Sequence, residues 1–174
     1  MASTVLPSAP RTWGTWSAGR NIFTFLAFFS PIAAFSQDMT ASHMWNPLWP
    51  PHAKFHAGQT MSLSVYNALF LLWLLWYPSP SRDSTRTPQL ERLKNERERL
   101  HLCATVISTY YVTMLMSGNL FPGTAGFDPP YDPSTVPQSA VAVGVLSVIA
   151  TAWYLENKRL RMLIAETEDG KKAK

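Results

Sequence analysis

Four long stretches of the chain contain no aspartate, glutamate, lysine or arginine, and they lie at residues 22–35, 58–77, 102–121 and 137–155. One run within them, ALFLLWLLWY at 68–77, is apolar on every side of a helix, whereas a helix of a soluble bundle keeps a polar stripe for water. Three of the stretches reach the roughly 20 residues that a helix needs to cross about 30 Å of hydrocarbon. The pattern therefore predicts an all-α, integral-membrane four-helix bundle.

The first stretch is too short to span a bilayer unless it is extended toward the N-terminus. It becomes long enough if the span begins near Trp16, with Arg20 turning its guanidinium back to the lipid headgroups and Trp13 at the interface. A cleaved signal peptide is the alternative, and it would leave three spans. The extended interpretation predicts one membrane domain, residues 1–174, with spans at 16–35, 58–77, 102–121 and 137–155 and a cytoplasmic basic tail at 156–174.

Charge is sparse and unevenly distributed along the chain. Charged residues make up 15% of the total, against about a quarter in ordinary soluble domains. Fourteen of the fifteen lysines and arginines lie before the first charge-free stretch, between the second and the third, or after the fourth. The positive-inside tendency then places both termini on the cytoplasmic side, with the endoplasmic reticulum as the default membrane.

Two charged segments flank the apolar stretches on the cytoplasmic side. The segment QLERLKNERERL at 89–100 mixes signs at helical spacing and predicts a solvated extension of span 3, with a partner-binding helix as the alternative. The basic tail is typical of an anchor near anionic lipid. It has no aromatic residues interleaved with its lysines, so we expect no nucleic-acid partner.

The first loop on the non-cytoplasmic side, residues 36–59, holds three of the four histidines of the chain. Asn46-Pro47 predicts a turn, and Pro50-Pro51 predicts the start of the second helix. On that helix His52 and His56 stand one turn apart on one face. The same face continues through Gln59 and Tyr66, and we expect its polar part to point into a cavity.

The second loop on that side, residues 119–138, adds carboxylates among stiffening prolines. Asp128 can therefore meet the histidines of the first loop, where Asp38 and His43 supply a further acid and base. We expect Asp128 or Asp38 to act as acid or nucleophile, and His52 and His56 to act as bases. Four residues are candidates for positioning substrate or water: Gln59, Tyr66, Asn119 and Tyr131.

Three interpretations of these loops stay open. The first is acid–base catalysis without a cofactor. The second is a zinc or iron ion on His52 and His56, although the pair lacks the glutamate of the HExxH pattern. The third is a purely interfacial role for the histidines and tryptophans. The single cysteine, Cys103, is expected to pack in the third span.

The first loop also carries a resemblance. Its pattern His43-x-Trp45-Asn46-Pro47-x-Trp49-Pro50-Pro51-His52-Ala53-x-Phe55-His56-x-x-Gln59 resembles a signature of small four-span membrane proteins common in fungi. The chain as a whole is similar to the membrane hydrolases of fungal polyketide clusters of the citreoviridin and aurovertin type. That resemblance implies epoxide opening on a polyene polyketide, by water addition or by ring closure. The architecture alone also resembles sterol isomerases and meroterpenoid cyclases.

The partners expected from the sequence are a lipophilic small-molecule substrate and membrane lipid, and a protein partner stays open. Two non-enzymatic alternatives are an assembly subunit and a small lipid-binding or transport protein. A transporter would usually show an internal repeat and ionisable residues within its spans, and the four charge-free stretches show neither.

Overall fold

The computed structural model describes residues 16–77, 89–124, 126 and 134–172, and within these ranges it contains no strand. The described residues form four helices, namely α1 (Ala18–Asp38), α2 (Pro51–Trp76), α3 (Gln89–Leu120) and α4 (Val136–Lys172). Each helix is long and apolar enough to cross a membrane. The predicted all-α chain with four such helices is therefore confirmed.

The helices form a ring in which each packs against two others. Neighbours in the chain are in contact, α4 closes the ring against α1, and α1 and α3 touch only slightly across the middle. Trp76 at the end of α2 donates its indole N–H to Thr24 Oγ1 near the start of α1, at 3.1 Å. Gly118 at the end of α3 lies against Thr135 at the start of α4. Consecutive helices are thus antiparallel.

This arrangement gives the bundle two different ends. We call one the charged end, which consists of the starts of α1 and α3, the end of α2 and the second half of α4. The other is the histidine end, which consists of the end of α1, the loop at 39–50, the start of α2, the end of α3 and the start of α4.

The apolar core runs between the two ends and takes residues from all four helices, including Phe23, Leu71, Ile107 and Ala152. Cys103 is buried within it, as expected for a packing residue. Many outward-facing side chains are apolar as well, for example Phe25, Ile32, Leu69 and Val143. An outer surface of this kind is typical of helices that contact lipid.

Helices α2, α3 and α4 each extend beyond the charge-free stretch that predicts them. Helix α2 begins at Pro51 after an extended Pro50, as the proline pair predicts. Helix α3 begins at Gln89, so the charged segment does continue the third helix, but it is not solvated all round, because Leu93, Glu96 and Leu100 are buried. Helix α4 continues to Lys172, so the predicted tail is mostly helical. Lysine, arginine, glutamate and leucine favour helix, and Leu160 is buried within this part.

The charged end is held by a buried ion network. Arg20 is only 4% exposed, and its guanidinium lies 3.4 Å from Glu96 of α3 and 3.5 Å from Glu156 of α4. Glu156 also accepts hydrogen bonds from Ser17 Oγ and from Arg159 Nε. The expectation that Arg20 turns back to the headgroups is therefore wrong. Carboxylates on the inner faces of α3 and α4 offer it partners inside the bundle.

Gly19 explains how close these groups come to one another. A Cβ atom at this position would lie 2.6 Å from the carbonyl oxygen of Ala152 and 2.7 Å from the Cβ atom of Glu156. Only glycine allows α1 and α4 to cross at this distance. The crossing places Arg20, the next residue, directly beside Glu156.

Candidate functional site

The loop at 39–50 folds back on itself through backbone hydrogen bonds. The amide of Met44 donates to the carbonyl oxygen of Asp38 at 3.0 Å, and the amide of Trp45 donates to that of Thr40 at 3.0 Å. The predicted turn at Asn46-Pro47 is confirmed, because Asn46 Oδ1 accepts a bond from the amide of Leu48 at 2.9 Å. The loop therefore has a defined shape between α1 and α2.

This shape positions His43 near the end of α1. The imidazole is half-buried, with Nδ1 2.9 Å from Ser42 Oγ and the ring edge-on to Trp49 at a centroid distance of 4.9 Å. Asp38, the last residue of α1, interacts electrostatically with His43 and also with Tyr110 of α3. The structure thus brings together Asp38 and His43, two of the residues that the sequence singles out, and adds a phenol.

Tyr110 also lines a cavity of about 360 Å³ at the histidine end, between α2, α3 and α4. The amide side chain of Gln138 lies in its wall and donates to the carbonyl oxygen of Gly126. The remaining polar wall consists mainly of hydroxyls, from Thr60, Thr113, Ser117, Thr135 and Ser139. A pocket with hydroxyls along otherwise apolar helices suits an apolar ligand that carries a few oxygen atoms.

His52 and His56 do meet, as their spacing predicts, with their Nε2 atoms 3.1 Å apart. His56 Nδ1 lies 3.3 Å from Gln59 Oε1. Both imidazoles are exposed, however, and so are Gln59 and Tyr66. None of these four residues lines the cavity beside Tyr110.

The expectation that this face of α2 points into a cavity is therefore wrong. The inward face of α2 is the one that carries Ala57, Met61, Ser64 and Ala68. The histidine pair nevertheless stays near the cavity wall. Thr60 lies in that wall one turn after His56, and its hydroxyl donates to the carbonyl oxygen of His56 at 3.0 Å.

Of the three remaining predicted site residues, only Asn119 lies in the part of the chain that the structure describes. Asn119 borders a different hollow, of about 650 Å³, which is lined mostly by residues of α4. Its side-chain amide donates to the carbonyl oxygen of Leu115 at 2.6 Å, so it is tied to its own helix. Asp128 and Tyr131 lie outside the described residues. Their predicted roles stay predictions.

A protein-family model matches residues 22–167, a region that runs through all four helices and the loop at the histidine end. The chain belongs to the DUF6640 family. This is a family of unknown function, so membership supplies no activity. No curated protein and no solved structure matches the chain.

In this DUF6640 chain the cavity includes residues that the loop motifs did not indicate. Thr60 and Gln138 are neutral polar residues within apolar helices and Thr135 directly precedes α4, and no motif in the surrounding sequence marks any of the three. A signal exists on α3, where Tyr110, Thr113 and Ser117 follow a spacing of three and four residues and so share one face. Within the described ranges, no group of three or more His, Cys, Asp or Glu side chains could hold a metal ion.

Proposed function

We propose that this chain is an integral-membrane enzyme that opens a strained oxygen ring, such as an epoxide, on a lipophilic substrate by acid–base chemistry. One observation carries the proposal. The cavity of about 360 Å³ has a phenol, Tyr110, in its wall, and Asp38 lies outside that wall but close enough to interact electrostatically with Tyr110 and with His43. An acid, a base and a binding space for a small molecule therefore lie at one end of the bundle.

The proposal includes a topology. The four apolar helices cross the bilayer with both termini on the cytoplasmic side, as the asymmetry of lysine and arginine favours. The histidine end then lies at the opposite face, in the endoplasmic reticulum lumen by default. A greasy substrate would enter from lipid and present its oxygen at the membrane interface, where the polar groups are.

In the proposed reaction an acid acts on the epoxide oxygen and a base acts on the attacking water, on opposite sides of the C–O bond that breaks. The Tyr110 phenol donates a hydrogen bond and then its proton to the epoxide oxygen as the C–O bond breaks. His43, which Ser42 contacts at Nδ1 and which interacts electrostatically with Asp38, accepts a proton from the water whose oxygen forms the new C–O bond. Proton transfer from His43 back to Tyr110 through water restores both groups, and the product is a diol.

The resemblance described above adds a substrate class, an epoxidised polyene polyketide. If a hydroxyl of the substrate replaces water as the nucleophile, the same groups produce a cyclic ether. His52, His56 and Asp128 remain secondary candidates for the base and the acid. The histidine pair is exposed, one helical turn from the cavity wall, whereas His43 is half-buried and interacts electrostatically with Asp38.

The test uses membranes that contain the protein, supplied with polyene epoxides, with products measured by mass spectrometry. The Tyr110→Phe and Asp38→Asn variants should each lower turnover by about 10²–10⁴-fold, the usual contribution of a positioned acid or base. Tyr154→Phe is the matched control, because Tyr154 is exposed on α4, and it should leave turnover unchanged. Incorporation of ¹⁸O from labelled water separates diol formation from ring closure.

The proposal fails if Tyr110→Phe accumulates in membranes and turns over the epoxide at the rate of the unchanged protein. A product with a shifted double bond and an intact epoxide would instead favour the membrane isomerase alternative. That chemistry would draw on the same acid and base.

A further inference from the structure

We infer that His52 and His56 form a binding site for a divalent transition-metal ion, separate from Tyr110, Asp38 and His43, to which the proposed function gives the main acid–base roles. The two imidazoles project from the first turns of α2 and face outward, so an ion can reach them without any movement of the bundle. Lys54 lies between them in sequence, two residues from each, and at this spacing its side chain leaves the helix on the opposite side.

The separation of the two nitrogen atoms fits a chelated ion. With metal–nitrogen bonds of about 2.0–2.1 Å, neighbouring ligands are about 2.9 Å apart in octahedral geometry and about 3.3 Å apart in tetrahedral geometry. The Nε2 atoms of His52 and His56 are 3.1 Å apart, between these two values. Both rings can therefore bind one ion with no change in the backbone and small rotations of the side chains.

The third residue of the cluster fixes the protonation of one ring. Gln59 Oε1 accepts and does not donate, so its contact with His56 Nδ1 at 3.3 Å is a hydrogen bond in the tautomer that carries the proton on Nδ1. The lone pair of His56 is then on Nε2, which points at His52. Histidines that bind metal usually donate their other N–H to an oxygen in this way.

The donor set indicates which ions would bind. Two neutral imidazoles suit Zn²⁺, Ni²⁺ and Cu²⁺, with Cu²⁺ the tightest, and do not suit Mg²⁺ or Ca²⁺, which prefer oxygen ligands. Two protein ligands leave further coordination positions for water or for an oxygen of a bound molecule. Without an ion, the same two nitrogen atoms share one hydrogen bond, in which His52 Nε2–H donates to His56 Nε2.

The inference is tested by calorimetry on the full chain in detergent or nanodiscs, with Zn²⁺, Ni²⁺, Cu²⁺ and Mg²⁺ added separately. We expect one saturable site per chain for the first three ions and none for Mg²⁺. His52→Gln and His56→Gln should each weaken binding by about tenfold or more, and the paramagnetic resonance spectrum of bound Cu²⁺ should lose one nitrogen ligand in each variant.

Two further variants separate a built site from adventitious binding. Gln59→Leu removes the acceptor and should weaken binding, whereas Gln59→Glu keeps an acceptor and should retain it. His101→Gln is the matched control, because His101 is exposed on α3 and accepts a bond from Trp153 Nε1 at 3.1 Å. Equal binding by the unchanged protein and both histidine variants would overturn the inference, as would no saturable binding of any ion. The readout is independent of epoxide turnover, so this proposal and the proposed function can fail separately.

Discussion

The two ends of the bundle use polar side chains in opposite ways. At the charged end, Arg20, Glu96 and Glu156 are all at least nine-tenths buried, and each meets a charge of the opposite sign. At the histidine end, Asp38 and His43 are half-buried, and His52 and His56 are exposed. The three buried charges at the charged end thus pair with one another inside the protein. The polar side chains at the histidine end are more exposed and remain accessible to a ligand.

This difference in burial indicates that the charged end contributes mainly to stability and the histidine end mainly to function. A buried charge that loses its partner is costly, so the charged end should be sensitive to single substitutions. Half-buried and exposed polar groups lose little on substitution, because water or lipid headgroups replace the lost contact. We therefore expect substitutions at the charged end to unfold the bundle, and those at the histidine end to change binding and turnover.

The largest expected effect follows from removing the cation of the buried network. Arg20→Met leaves Glu96 and Glu156 facing each other without it, and should lower the free energy of unfolding by about 3–5 kcal/mol. Unfolding in detergent, followed by circular dichroism, measures the loss. The matched control is Lys94→Met, which breaks the exposed Lys94–Glu168 pair and should cost less than about 1 kcal/mol. Similar losses in the two variants would mean that the network contributes no more than a surface pair.

A smaller effect is expected at the helix crossing beside that network. Gly19→Ala places a Cβ atom within 2.7 Å of Ala152 and Glu156, so α1 and α4 must separate. We expect a loss of about 1–3 kcal/mol, typical of overpacking, measured by the same unfolding experiment. Gly144→Ala on α4 is the control, because a Cβ atom there meets nothing within 4 Å and alanine favours helix. A stable Gly19→Ala variant would show that the crossing can widen at no cost.

These two positions also show what sequence patterns can and cannot provide. The charge-free stretches predict four helices, and the proline pair predicts where α2 begins, because both signals depend only on neighbours in the chain. The burial of Arg20 depends on Glu96 and Glu156, which belong to other helices. Nothing near Arg20 in the sequence indicates that these carboxylates will face it.

In the candidate site, too, some contacts follow from nearby residues in the sequence and others depend on the tertiary structure. The contact between His52 and His56 follows from their spacing on one helix, and it is observed. Whether that contact faces inward could not be predicted, because the first half of α2 carries polar residues on several sides and its second half is apolar all round, so that no single polar stripe orients the helix. The neighbourhood of Asp38, His43 and Tyr110 combines α1, a loop and α3, and it required the tertiary structure.

The smallest effect on global stability is expected in the loop at the histidine end. Asn46→Ala removes the acceptor for the amide of Leu48 and the donor to the carbonyl oxygen of Ser42. Its cost of about 1 kcal/mol should be confined to the loop, because these bonds connect only residues of the loop itself. Hydrogen exchange should become faster at the amides of Met44, Trp45 and Leu48, while the global unfolding transition stays unchanged. Asn21→Ala, at an exposed position of α1, should change neither measurement. If Asn46→Ala instead lowered global stability as much as Arg20→Met, the loop would be part of the cooperative core and the contrast between the two ends would be lost.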